Sequence, residues 1–163
     1  MHILIKNKKL FYNDYKVKCA WGKRGIGKKR KEGDLITPKG SYKVLKIFYR
    51  KDRLKKLKSK LKKIAIKKNM GWCNDSKSKS YNKLIRLPSN YSAEKLYRKD
   101  NIYDIILVLN FNMQPIKKNK GSAIFLHIAK KNFKFTEGCI AVKKTDLIKI
   151  TQLLRRSSLV KII

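Results

Sequence analysis

Residues 103–111 constrain this chain most, because between Asp104 and Asn110 they hold the unbroken apolar run Ile105-Ile106-Leu107-Val108-Leu109. A β-rich run with no polar residue at alternate positions has no face to offer water, so it reads as a central strand covered on both sides. Ala123-Ile124-Phe125-Leu126 reads as a second strand, ending directly at His127. Upstream, residues 3–5, 16–21 and 41–47 read as strands, the last with near period-two alternation. Gly22, Gly25, Gly27, Gly33 and the Thr37-Pro38-Lys39-Gly40 turn punctuate them.

Three stretches read as helices. In the lysine-rich run 51–68, which opens on Lys51 and closes on Lys68, Leu54, Leu57, Leu61 and Ile64 fall at helical spacing, although Ile64-Ala65-Ile66 equally suits the start of a strand. Ser92 before Ala93-Glu94 resembles a cap of a short helix ending near Asp100. Thr145-Asp146 opens a helix through Leu154, with Arg155 and Arg156 suited to its negative end. The fold class expected is mainly β (α+β), and the length of 163 residues suits one domain spanning 1–163.

Lys and Arg number 44 against 10 Asp and Glu, a formal net charge of +34. Such a surface attracts polyanions: nucleic acid, anionic lipid or wall polymer. Lysine in excess of arginine, with plentiful Ile and Asn, is also what an AT-rich genome imposes on exposed positions. Cys19, Cys73 and Cys139 lie far apart with no CxxC pair, so neither a zinc site nor a disulfide framework is expected, and no cofactor is implied. No stretch approaches a membrane span, and Ile3-Leu4-Ile5 before Lys6 is too short for a signal-peptide core.

Of the two histidines, His2 lies at the terminus, which singles out His127. Cysteine catalysis needs a base near the thiol and backbone amides for the developing oxyanion. Thr136-Glu137-Gly138-Cys139 supplies a turn in which Gly138 leaves room for substrate beside Cys139. On spacing alone, a packed thiol and a packed histidine account for the same residues.

Two runs carry a more specific signal: Gly121-Ser122-Ala123-Ile124-Phe125-Leu126-His127 and Thr136-Glu137-Gly138-Cys139-Ile140-Ala141-Val142. They resemble the signature of a YkuD-like L,D-transpeptidase branch with a shortened His-to-Cys interval. Agreement extends to Gly33-Asp34, Thr37-Pro38-Lys39-Gly40, Gly71-Trp72-Cys73-Asn74-Asp75 and the segment from Ser92 to Asp104, nearly the whole chain.

The resemblance implies a β-sandwich with short helices and a cysteine acyltransferase acting on peptidoglycan stem peptides. Cys139 is then the nucleophile, His127 the base, the Gly138 carbonyl the orienter of the imidazole and the Cys139 amide the oxyanion donor. Thr136, Glu137 and Trp72 are the expected substrate contacts, Trp72 being as well suited to a core or cleft wall. Cys73 reads as packing, and Asp75, Arg98 and Asp104 as a polar network supporting the sheet. Glu137 stands where many members carry His, and Ala141 where many carry Arg.

A hydrolase of the same fold, such as an L,D-carboxypeptidase, is the alternative outcome. A basic module binding nucleic acid or cell wall without catalysis is the other, and it leaves Gly138-Cys139 unexplained. The family implies the cell envelope as location, periplasm or wall, with the cytoplasm as the alternative. The 51–68 run is expected to contact an anionic wall polymer or lipid surface.

Overall fold

A computed structural model describes residues 2–163. The chain opens with an antiparallel meander, β1 Ile3–Lys6, β2 Lys9–Tyr12 and β3 Tyr15–Lys18. Asn7 and Lys8 take φ of 49° and 54° in the first turn, the positive-φ geometry whose twist matches a tight hairpin. The middle strand of this meander is an addition to the strands legible in the sequence.

β4 Ile26–Gly27 and β5 Thr37–Pro38 pair in parallel as a small ribbon. The long strand β6 Gly40–Tyr49 follows, then β7 Lys63–Ala65. β8 Met70–Cys73 lies between β9 Leu84–Arg86 and β10 Ala93–Lys95 in a separate three-stranded sheet. β11 Ile105–Leu109, β12 Phe125–Ile128, β13 Ile140–Val142, the helix α1 Lys144–Leu153 and β14 Leu159–Ile162 complete the chain.

The main sheet runs β13-β12-β11-β6-β14-β1-β2-β3, with β7 added to β6. β6 joins its two halves: one edge carries β11, and the other carries first β14 and then β7. Strand alternation divides the apolar run of β11 between two cores. Ile105, Leu107 and Leu109 join the core that receives Leu147 and Ile150 of α1. Ile106 and Val108 face the opposite core, where Trp72 of the small sheet, Leu96, Phe48 and Phe125 pack. The continuous apolar run is thus buried on both faces, sheet on one side and helix on the other. This is the expected mainly β fold, a single domain with one α-helix among the described residues in place of several.

Two expected helices are absent. In 51–68 the backbone makes isolated turns, Arg53 and Leu54 N–H both donating to the Arg50 carbonyl, and then enters β7. Leu57 and Leu61 are buried, but from a loop folded over the core. Like charges three and four residues apart oppose a helix there, and the free edge of β6 offers Ile64-Ala65 a ladder instead. Ser92 Oγ pairs with Asn74 Oδ1 at 2.8 Å and caps nothing, because residues 93–95 are recruited by β8. The expected C-terminal helix is present as α1, entered from Lys143 with Asp146 in its first turn.

Candidate active site

β12 and β13 pair in parallel with His127 opposite Ala141. Cys139 precedes β13 by one residue, so on strand alternation it shares a face with Ala141 and hence with His127. That face belongs to the Trp72 core, and Cys139 packs at its margin. Both side chains line a cavity of about 520 Å³, whose wall also includes Lys29, Glu94, Arg98, Tyr103 and Glu137.

The turn before the thiol is held from two sides. Thr136 Oγ1 donates to the Cys139 carbonyl at 2.6 Å and accepts the Gly138 N–H at 3.1 Å. The Gly138 carbonyl accepts from Thr37 Oγ1 at 2.8 Å, and the same hydroxyl accepts the Gly22 N–H at 2.8 Å. Gly138 sits at φ 147°, and a Cβ there would lie 2.9 Å from the Ile36 carbonyl oxygen. Only glycine fits this conformation in this space.

These bonds change two expectations. The Gly138 carbonyl serves Thr37 and not the imidazole; His127 Nδ1 instead lies 2.9 Å from the Ile128 carbonyl. A carbonyl only accepts, so Nδ1 carries the proton and Nε2 is left as the basic nitrogen. Thr136 lines the cavity, yet its hydroxyl is spent on the turn, which makes it a scaffold residue before a substrate contact. Glu137 is exposed on the cavity wall, as a substrate contact requires.

Trp72 is a core residue. It is 2% exposed, donates Nε1–H to Asn82 Oδ1 at 3.0 Å and meets the ring of Phe125 edge-on at 5.3 Å between centroids. Phe125 is the residue opposite Cys139 on β12, so Trp72 supports the site from behind. In the polar network, Asp104 is buried between Arg53 at 2.7 Å and Lys144 at 2.9 Å, as expected. Asp75 accepts backbone N–H bonds from Lys77 and Ser92 in the loop after β8. Arg98 differs from the expectation: it pairs with Asp100 but faces the cavity.

Burial favours the neutral forms of both Cys139 and His127. Cys139 Sγ donates to the Ala123 carbonyl at 3.0 Å and accepts the Phe125 N–H at 3.4 Å. Burial pushes its pKa well up and the negative charge of Glu94 adds to this, outweighing Phe125 N–H and Lys29. Burial lowers His127 to about 4, opposed in part by its bond to Ile128. Tyr103 packs edge-on against the imidazole at 5.3 Å and donates its hydroxyl to Glu94, whose pKa is raised by burial. Glu94, Tyr103, Lys29 and Thr37 reach the site from distant segments, and no local spacing marks them.

The family model YkuD, described as an L,D-transpeptidase catalytic domain, matches residues 1–162. The chain belongs to the YkuD family. No curated protein matches it. The YkuD family is an L,D-transpeptidase family, of acyltransferase type, and it acts on peptidoglycan peptides. In this YkuD chain Ala141 is 1% exposed opposite His127, and the cationic side chains on the cavity wall are Lys23, Lys29, Arg98, Lys130 and Lys134.

The depressed His127 pKa has a consequence for stability. In the unfolded chain the imidazole titrates near 6.5 and in the fold near 4, so between these values the unfolded state holds the extra proton. Stability therefore rises with pH across that window and is lost as pH falls through it. A His127→Gln variant is expected to lose this slope, a difference of roughly 3 kcal/mol between its ends. Urea unfolding midpoints from pH 4 to 7 check it, and parallel curves for the two proteins would contradict it.

Proposed function

We propose that this domain transfers the acyl group of a peptidoglycan stem peptide through a thioester on Cys139. The observation that supports it most directly is the placement of Cys139 and His127 on one face of adjacent strands, lining one cavity, with Nε2 as the free base. As Cys139 Sγ bonds to the scissile carbonyl carbon, its proton moves to His127 Nε2 and the carbonyl π pair moves to oxygen. The Cys139 N–H, which takes no part in the turn's hydrogen bonds, is the donor assigned to this oxyanion.

Collapse breaks the C–N bond, and the imidazolium returns its proton to the departing D-alanine amine. An acceptor amine then attacks the thioester, gives its proton to His127 and yields the cross-linked amide, with the thiol restored as sulfur leaves. With water as acceptor the same steps give a carboxypeptidase. Incubation with a purified disaccharide tetrapeptide, followed by mass analysis of products, tests the reading: released D-alanine with dimer or tripeptide supports it. An unchanged substrate with folded protein contradicts it.

The lysines of 51–68 are a tether to an anionic surface in this reading. Lys51, Lys55, Lys56, Lys58, Lys60, Lys62, Lys63, Lys67 and Lys68 are all exposed, and none lines the cavity. Attraction between exposed charges is screened over ~8 Å at physiological ionic strength. Sacculus binding is expected to fall steeply with salt, and to weaken when Lys55, Lys56, Lys58, Lys60, Lys62 and Lys63 become Gln. Turnover of a small soluble peptide is expected to stay within about twofold, since surface charges this far from the chemistry act mainly on encounter. Equal sacculus binding by variant and parent across a salt series would remove the tether.

A further inference from the structure

A buried ion pair lies beneath the nucleophile turn. Lys29 Nζ is 2.6 Å from Asp34 Oδ1, and both side chains are 3% exposed. Asp34 is also bonded by the N–H groups of Arg30 at 2.8 Å, Ile36 at 3.1 Å and Lys31 at 3.3 Å. Burial opposes its charge, but the ammonium and these amides prevail and hold its pKa to about 2. A buried pair of this kind adds little net stability over an apolar pair of similar volume, so its presence asks for another explanation.

The path of the lysine chain supplies one. A Cβ on Gly121 would fall 2.5 Å from Lys29 Cε, and one on Gly138 would fall 3.5 Å from Lys29 Nζ. Both glycines have positive φ, 104° and 147°. Two glycines from different loops thus leave the channel through which Lys29 reaches the back of the Gly138–Cys139 turn. Its Nζ also donates to the Ile36 carbonyl at 3.3 Å, the same oxygen that bars a side chain at Gly138. Lys29 lines the catalytic cavity, whereas Asp34 does not and instead lines a groove on the other side of this loop. The cation thus borders the cavity that the thiol lines, and its counter-ion borders the groove.

We propose that Lys29 is a positioning residue of the acyl-transfer site, a fixed ammonium that supports the turn and favours negative charge as it develops on Cys139 sulfur and on the carbonyl oxygen. The inference rests on the acyl-transfer reading given above. Lys29 moves no proton: the thiol proton still goes to His127, and the ammonium keeps all of its hydrogens. Its role is to offset Glu94 on β10 and Glu137 in the turn, the two carboxylates whose charge opposes thiolate formation, in a pocket whose wall also carries Tyr103, the neutral His127, Glu32, and the cations Lys23, Arg98, Lys130 and Lys134. A charge preorganised in a water-poor site acts without reorganisation when the reaction occurs.

The test is the rate of iodoacetamide alkylation of Cys139, mapped by peptide mass, as a function of pH in K29M/D34N, D34N and the parent. K29M/D34N removes the pair without stranding a charge. Its profile is expected to move up by about one pH unit, a loss of about tenfold in rate at neutral pH. D34N leaves the ammonium without its counter-ion and is expected to move the profile down, toward lower pH. Shifts in opposite directions are what a charge produces and a purely structural brace does not.

A K29M/D34N protein with the parent's circular dichroism and the parent's profile overturns the proposal. If that variant fails to fold, a D34N profile that is unmoved or moves up overturns it equally. Alkylation reads the thiol without any stem peptide, so its outcome is separate from the function assigned above. Parent protein inert toward tetrapeptide defeats that function while the profiles still report on Lys29.

Discussion

Replacing His127 by Ala is expected to slow acylation of Cys139 by ~10²–10⁴-fold, the usual worth of a positioned base. The effect belongs at the upper end of that range. The thiol is held protonated by burial and by Glu94, so little thiolate is present to react without a base. The imidazole is poised to accept because burial keeps it neutral down to about pH 4 and Ile128 fixes its tautomer. The acylation rate of the parent should therefore persist through mildly acidic pH and fall only as pH drops through about 4, where the imidazole gains its proton. Stopped-flow acylation by a carbapenem at several pH values measures both. A variant reacting at the parent's rate would mean that another group takes the proton.

The second large effect is expected at Gly138. An Ala there carries the strain of a φ of 147° and places its Cβ 2.9 Å from a backbone oxygen that cannot move as a side chain would. Backbone strain of this kind costs about 1–3 kcal/mol. Relief by shifting the turn moves Cys139 relative to His127, and a displacement near 1 Å can cost ~10²-fold in rate. Gly25→Ala is the control, because it has φ of 86° but open space around the added carbon. Gly25→Ala should lower the thermal midpoint and spare acylation, whereas Gly138→Ala should lower both. Equal acylation by the two variants would show that the turn tolerates a side chain.

Much of the fold was legible because its central strand β11 is apolar at every position. The run 105–109 has to be buried twice, and the two cores on either side of β11 realise that requirement. α1 was legible from Thr145-Asp146 at its start and Arg155 and Arg156 just past its end. The leucines of 51–68 misled, since residues on successive turns of a loop can reach one core at the same spacing as a helix face. Ser92 misled for a different reason: a cap signal is local, and pairing of Ala93–Lys95 with β8 overrides it.

The site was legible only where its chemistry is concentrated. Cys139 and His127 stand out in a chain with one interior histidine and one Gly-Cys turn. Thr37 was visible as part of a turn, but its bond to the Gly138 carbonyl ties β5 to the turn before β13 across 101 residues of sequence and has no signature in spacing. Trp72 could not be assigned to core or cleft before the small sheet's packing was known. Arg98 and Glu94 likewise needed the fold, since only strand β10 and the segment after it carry them to the cavity wall.

Mass analysis of the protein after brief incubation with a disaccharide tetrapeptide, followed by digestion to locate the adduct, tests the central claim most directly. The account predicts one acyl group per chain, less the mass of D-alanine, on the peptide containing Cys139, and none in a Cys139→Ala variant. An adduct on the Cys19 or Cys73 peptide, or turnover by Cys139→Ala at the parent's rate, would contradict it.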